Sequence, residues 1–103
     1  MKKVVFIGLI TFLLFSTSAV AQTIYTAKKG YAVAFSEKSY EKMMDAIIDD
    51  DKQYLEVLMA NQEMMVLGKD LQVYLVKAYL RGRVLLRIKG TDVTIWTVSE
   101  AIK

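Results

Sequence analysis

The chain has no cysteine, no histidine and no proline among its 103 residues. Without cysteine there is no disulfide to staple a small domain, and no thiolate metal site. Without histidine the commonest metal ligand and general base is missing. Ser-His-Asp triads and Cys-His dyads are therefore excluded within one chain. Without proline there is no proline-rich linker. Long apolar runs are also lacking. Val4 to Phe15 is apolar except for Thr11 and Gly8, a stretch well short of the roughly 20 residues that a membrane helix needs.

That short apolar run is nevertheless the most informative segment. Lys2 and Lys3 precede it, and Ser16-Thr17-Ser18 and Ala19-Val20-Ala21 follow it. A basic start, an apolar middle and a small-residue end make a secretory signal peptide. The pattern predicts residues 1–21 as the signal, cleavage after Ala21, and a single mature domain over 22–103 that is periplasmic or secreted, with no transmembrane segment after processing.

The net charge of +3 belongs to the precursor. Losing Lys2 and Lys3 leaves 12 basic and 11 acidic residues. A nucleic-acid binder needs a surplus of Lys and Arg on one face, and no such overall surplus exists. The charges are segregated along the chain. Residues 36–63 carry eight acids against three lysines, and residues 69–103 carry seven bases against three acids. The two halves either attract one another or present differently solvated faces, with a polarity for partner binding as the alternative.

Residues 22–35 read as irregular, with a turn at Gly30 and Tyr31 to Phe35 as a short strand or a lead-in to helix. Ser36 is a helix N-cap with Glu37 in the first turn. Tyr40, Met43, Met44, Ile47 and Ile48 follow the stripe of an amphipathic helix. Asp49-Asp50-Asp51 breaks it, and Tyr54, Leu55, Leu58 and Met59 form a second stripe, so 36–60 is predicted as a helical hairpin. Beyond Asn61 the pattern turns to short strands between glycine turns. Met64 to Leu67 is one short apolar segment and Leu71 to Val76 a strand. In Val84 to Lys89, Val84, Leu86 and Ile88 share a face. In the strand Val93 to Thr97, Val93, Ile95 and Thr97 lie opposite Trp96.

Residues 62–103 resemble the SH3-like barrels at the C-terminus of small exported bacterial proteins. The resemblance is carried by Met64-Met65-Val66-Leu67-Gly68-Lys69, Val73-Tyr74-Leu75, Gly82-Arg83-Val84, Arg87-Ile88-Lys89-Gly90 and Trp96-Thr97-Val98-Ser99-Glu100-Ala101. It implies an α+β fold, an N-terminal helical hairpin followed by a small SH3-like β-barrel over 62–103. It transfers no ligand. The Asn-Val-Arg strand and glycine-proline turn of the cell-wall-binding relatives are absent, and so is the proline of the peptide-binding ones.

Three clusters read as structural. Asp49 to Asp51 lacks the spacing of a calcium loop. Glu37, Glu41 and Asp45 form an acidic stripe on one helix and no cleft. Met43, Met44, Met59, Met64 and Met65 fit a small irregular core. The best binding candidates are Tyr74, Tyr79, Arg81, Arg83 and Trp96, because aromatics beside arginines anchor protein interfaces. The structural alternative is that Tyr74 and Trp96 cover the core edge. These features predict a non-catalytic binding or interaction module without a cofactor. Its partner would be a protein or peptide of the cell envelope or a cell-wall strand, and not nucleic acid. The alternative is a secreted inhibitor or protective factor against an envelope enzyme or toxin.

Overall fold

The computed structural model describes residues 23–103. The signal peptide and its cleavage after Ala21 lie outside the described residues. Six strands and two helices follow in order: β1 (Ile24–Ala27), β2 (Ala32–Ala34), α1 (Glu37–Ile48), α2 (Lys52–Ala60), β3 (Met64–Val66), β4 (Leu71–Ala78), β5 (Arg83–Ile88) and β6 (Thr94–Val98). Short 3₁₀ turns occupy Leu80–Gly82 and Ser99–Ile102. The strands form one antiparallel sheet in the order β1-β4-β5-β6-β2-β3. Among the described residues no helix is long and apolar enough to cross a membrane.

This corrects the expected architecture. There is no N-terminal helical hairpin ahead of a barrel confined to 62–103. Residues 24–34 supply two strands of the same sheet, and the helices are inserted between β2 and β3. The molecule is mostly β. One long bent hairpin explains why. Ile24 pairs with Tyr74 and Ala27 with Leu71, while Ala32 pairs with Val66 and Ala34 with Met64. These pairs share one register, so β1 and β2 run as one bent partner of β3 and β4. The bend is secured by Lys29 N–H donating to the Asp70 carboxylate at 2.9 Å. Beyond the bend, β4 joins β5 and β2 joins β6. The sheet therefore curls around one core: Ala27, Val33, Leu67, Val73, Val84, Leu86 and Ile95. Thr97 is also buried, and its hydroxyl donates to the Ala32 carbonyl at 2.8 Å, which closes the β2–β6 seam.

Alternation placed the later strands correctly. Val84 and Leu86 are buried, and Ile88 is partly buried against the same core. Ile95 and Thr97 are buried opposite Trp96, whereas Val93 is exposed.

The helices cover the other face of β2, β3 and β6. Here Ala34, Tyr40, Met43, Leu58 and Met64 form a second core, with Ala32, Met44, Leu55 and Trp96 packed against it. The small side chains of Ala32 and Ala34 let the helices approach closely. α1 starts where expected: Ser36 Oγ accepts from Ser39 N–H at 3.0 Å. Its buried stripe is shifted from the expected one. Ser39, Tyr40, Met43 and Ala46 face inward, while Ile47 and Ile48 are exposed. The aspartate triplet divides its labour. Asp49 caps α1 and Asp50 takes a left-handed conformation at φ 53°. Asp50 and Asp51 N–H return to Ile47 and Ala46 carbonyls, and Asp51 then caps α2. This double return is the Schellman arrangement. It ends α1 and lets α2 begin after three intervening residues, and the two helices pack as a pair.

Glu63 ties that pair to the sheet. Its carboxylate accepts from Ser39 Oγ at 2.9 Å and Lys42 Nζ at 3.1 Å. The Ser39 hydroxyl and then Lys42 hold its pKa below the ordinary 4.5. A depressed carboxylate contributes stability above its unfolded pKa, and that contribution disappears as pH falls through the folded value. Glu63→Gln is therefore expected to lower the thermal midpoint at neutral pH. The gap from the parent should close as pH is taken down through 4.5 and below. Calorimetry across that range checks it, and a gap that stays constant with pH would remove the ionised Glu63 from the account.

Candidate functional site

A bulge decides which side chains meet at the site. The β4–β5 register shifts between Leu75 and Lys77, leaving Val76 as the extra, exposed residue. Before it, Val73 and Leu75 face the core. A one-residue insertion reverses the alternation. After it, Lys77 pairs with Leu85, which itself pairs with Trp96 on the outer face. Lys77 and Tyr79 are thereby delivered to the Trp96 side.

Tyr79 and Trp96 lie with ring centroids 5.4 Å apart and planes tilted by 38°. The Arg83 guanidinium sits 4.6 Å from the Tyr79 ring centre and 5.4 Å from that of Trp96. Lys77 Nζ lies 4.9 Å from the Tyr79 ring. Tyr79 N–H donates to the Arg83 carbonyl at 2.8 Å, closing the turn. Arg83 also bonds Glu37 of α1 at 3.0 Å and reaches Glu41 at 4.0 Å. The acidic helix stripe and the basic strand half meet at this one side chain.

Of the five candidate residues, the structure brings together Tyr79, Arg83 and Trp96, with Arg81 in the adjoining turn. Tyr74 stands apart, stacked with Arg87 at 4.7 Å. Tyr79, Arg83 and Trp96 are each partly buried. Their arrangement braces the turn and docks α1, so Tyr79 is not a free side chain of the turn.

The free side chains are at the tip. Leu80 is 91% exposed, more than any other large apolar residue described. Arg81 beside it is exposed, in a left-handed conformation at φ 68° and ψ 23°. A non-glycine residue at positive φ costs energy unless its surroundings enforce it. Gly82 follows at φ 78°, where an added Cβ would lie 3.3 Å from Ser99 Oγ. Leu80 and Arg81 line a pocket of about 260 Å³ with Tyr40 and Arg83. Burial raises the Tyr40 phenol above its usual pKa of 10.0, with Arg83 opposing and Glu100 adding to the effect. Tyr40 thus offers a neutral hydroxyl at physiological pH. The pocket combines one apolar tip, two guanidinium groups and one hydroxyl, a set suited to binding and without a nucleophile–base pair.

Sequence reasoning missed Leu80 and Tyr40. Leu80 carried a signal, an apolar residue stranded between a strand end and an arginine-glycine turn. Tyr40 carried none, because its helical spacing also fits a plain core position. Among the described residues, no group of three or more acidic side chains converges as metal ligands. Comparisons with protein-family models, curated proteins and solved structures give no match to this chain.

Proposed function

We propose that the chain is an exported, non-catalytic binding module that captures a protein or peptide of the cell envelope through the Leu80–Arg81 turn. The observation that carries this reading is the exposed Leu80, held at 91% accessibility on a turn that Tyr79, Arg83 and Trp96 brace from behind. An exposed apolar side chain next to a guanidinium supplies a desolvating anchor and a directional charge. Bracing lowers the ordering cost of binding, because the turn is already fixed. Export rests on the signal-peptide pattern of residues 1–21.

The brace also supports a second reading, an inhibitor or protective factor that presents this turn to an envelope enzyme or toxin. A rigid apolar–basic tip is what such a protein inserts into a cleft. Both readings use the same residues and differ in whether the captured partner loses an activity.

The test is a pull-down from envelope extract with the parent protein and with Leu80→Asp/Arg81→Glu. Both positions are exposed, so folding should stay within about 0.5 kcal/mol of the parent. Affinity for the captured partner is expected to fall at least about tenfold, as for interface anchors. Capture by the parent should weaken with added salt. A folded double variant that captures the same partner at full affinity would rule out the turn. The acidic face of Glu37, Glu41 and Asp45 would then be the surface to probe.

A further inference from the structure

A different edge of the molecule carries an independent inference. Among the described residues β3 ends the sheet order and has a neighbouring strand only on its β2 side. The hydrogen bonds fix which of its backbone groups point outward. Phe35 N–H donates to Glu63 O at 3.1 Å, and Leu67 N–H donates to Tyr31 O at 3.0 Å. In an antiparallel ladder, bonded and non-bonded pairs alternate. Glu63, Met65 and Leu67 therefore bond inward to β2. Met64 and Val66 direct their N–H and C=O groups away from the sheet. On the β2 side the phase agrees, since Ala32 turns its carbonyl to Thr97 of β6.

Nothing on β3 guards this edge. Met64 to Leu67 carries no charge and no proline, the usual devices against edge pairing. Met65 is 42% exposed and Val66 48%. Beside them lies an apolar groove of about 450 Å³ lined by Phe35, Met59, Gln62, Met64 and Met65. The opposite edge of the sheet is treated differently. At the end of β1, Lys28 N–H donates to the Ala101 carbonyl of the terminal turn at 2.9 Å, and that turn packs along the strand.

We propose that β3 pairs with β3 of a second copy of this chain, in a two-fold dimer centred on Met65. A two-fold axis there sets Met64 of one copy opposite Val66 of its partner, and the reverse. Both residues carry outward-facing groups, so the phase permits two bonded pairs with four main-chain hydrogen bonds. Met65 then meets its own counterpart at the closely spaced, non-bonded position, next to the two grooves. The ends are complementary in charge. Glu63 lies before the strand and Lys69 after it. Antiparallel approach brings Lys69 of each copy toward Glu63 of the other, while a parallel approach would set like charges together. The pairing is isologous and uses the β3 edge of both copies, so it closes after two copies.

The experiment is sedimentation equilibrium of the purified protein over a wide concentration range, with Val66→Pro and Val66→Lys. Proline removes only an outward N–H, and lysine is an edge blocker at an exposed position. The parent is expected to show a monomer–dimer equilibrium without larger species. Both variants should be monomeric with unchanged circular dichroism and thermal midpoint measured at low concentration. Lys69→Glu should weaken dimerisation several-fold without touching the strand. A parent that stays monomeric at the highest concentrations would overturn the proposal, and so would dimers that survive both Val66 variants. A monomer whose β3 amides shift in NMR only on adding an extended apolar peptide would overturn it in favour of a foreign strand.

Discussion

Leu86→Ala is expected to bring the domain close to unfolding at ambient temperature. Leu86 is fully buried on β5 and pairs with Leu75 on one side and Ile95 on the other. It stands at the middle of the core that the curled sheet encloses. Truncating such a side chain costs about 2–5 kcal/mol. A domain of this size has only roughly 4–12 kcal/mol in total, and no disulfide supports it. A fall of at least about 10 °C in thermal midpoint follows. Ile88→Ala should cost clearly less, because Ile88 is only partly buried. Alternation alone would rank Val84, Leu86 and Ile88 as equals, so the ordering of the two variants tests the structure and not merely the pattern. Equal midpoints for the parent and Leu86→Ala would mean that β5 does not face the core.

The difference between what could and could not be read from sequence follows from burial on one face or two. On β5 and β6 the side chains alternate in depth: Val84, Leu86, Ile95 and Thr97 are buried, whereas Leu85, Arg87, Trp96 and Val98 between them are only partly buried, Trp96 against the helices. Val84 and Leu86 on one strand, and Ile95 and Thr97 on the other, were identifiable without coordinates. β2 has both faces covered. Val33 enters the inner core and Ala34 the helix-facing one. With three residues and two apolar faces, no alternation exists to be seen. Tyr31 to Phe35 reads equally as a short strand or a lead-in to helix, and Ile24–Ala27 gives no strand signal, so the sequence alone puts the helices at the front of the fold. A similar limit applied to the site. Tyr79, Arg83 and Trp96 had the right chemistry, but their convergence depends on the bulge at Val76 and on where α1 docks. The docking of α1 is set by contacts distant in sequence, and the bulge is a one-residue shift within the β4–β5 hairpin that no residue type in it announces. The segregation of acids and bases was visible, and the structure expresses part of it as the contacts of Arg83 with Glu37 and Glu41.

Leu58→Ala should have an effect of similar size but in a different place. α2 is nine residues long and Leu58 is its one buried side chain, with Leu55 partly buried beside it. Isolated helices shorter than about 12–15 residues are marginal in water, so α2 exists because Leu58 docks it against Met43 and Met64. The Leu58 carbonyl also accepts from Glu63 N–H at 2.9 Å, which joins the end of α2 to the start of β3. Truncation should cost about 2–5 kcal/mol, felt first as local opening of α2. The inner core of Leu86, Ile95, Val73 and Val33 does not include Leu58. Hydrogen exchange should therefore show protection lost along α2 and β3 while the amides of β4, β5 and β6 stay protected. Met59→Ala, at a position 40% exposed, should change stability by no more than about 0.5 kcal/mol. Loss of protection spread evenly over helices and sheet would mean that the two cores melt as one unit. Loss confined to α2 and β3 would show that the sheet, with its Leu80–Arg81 turn, stands without α2.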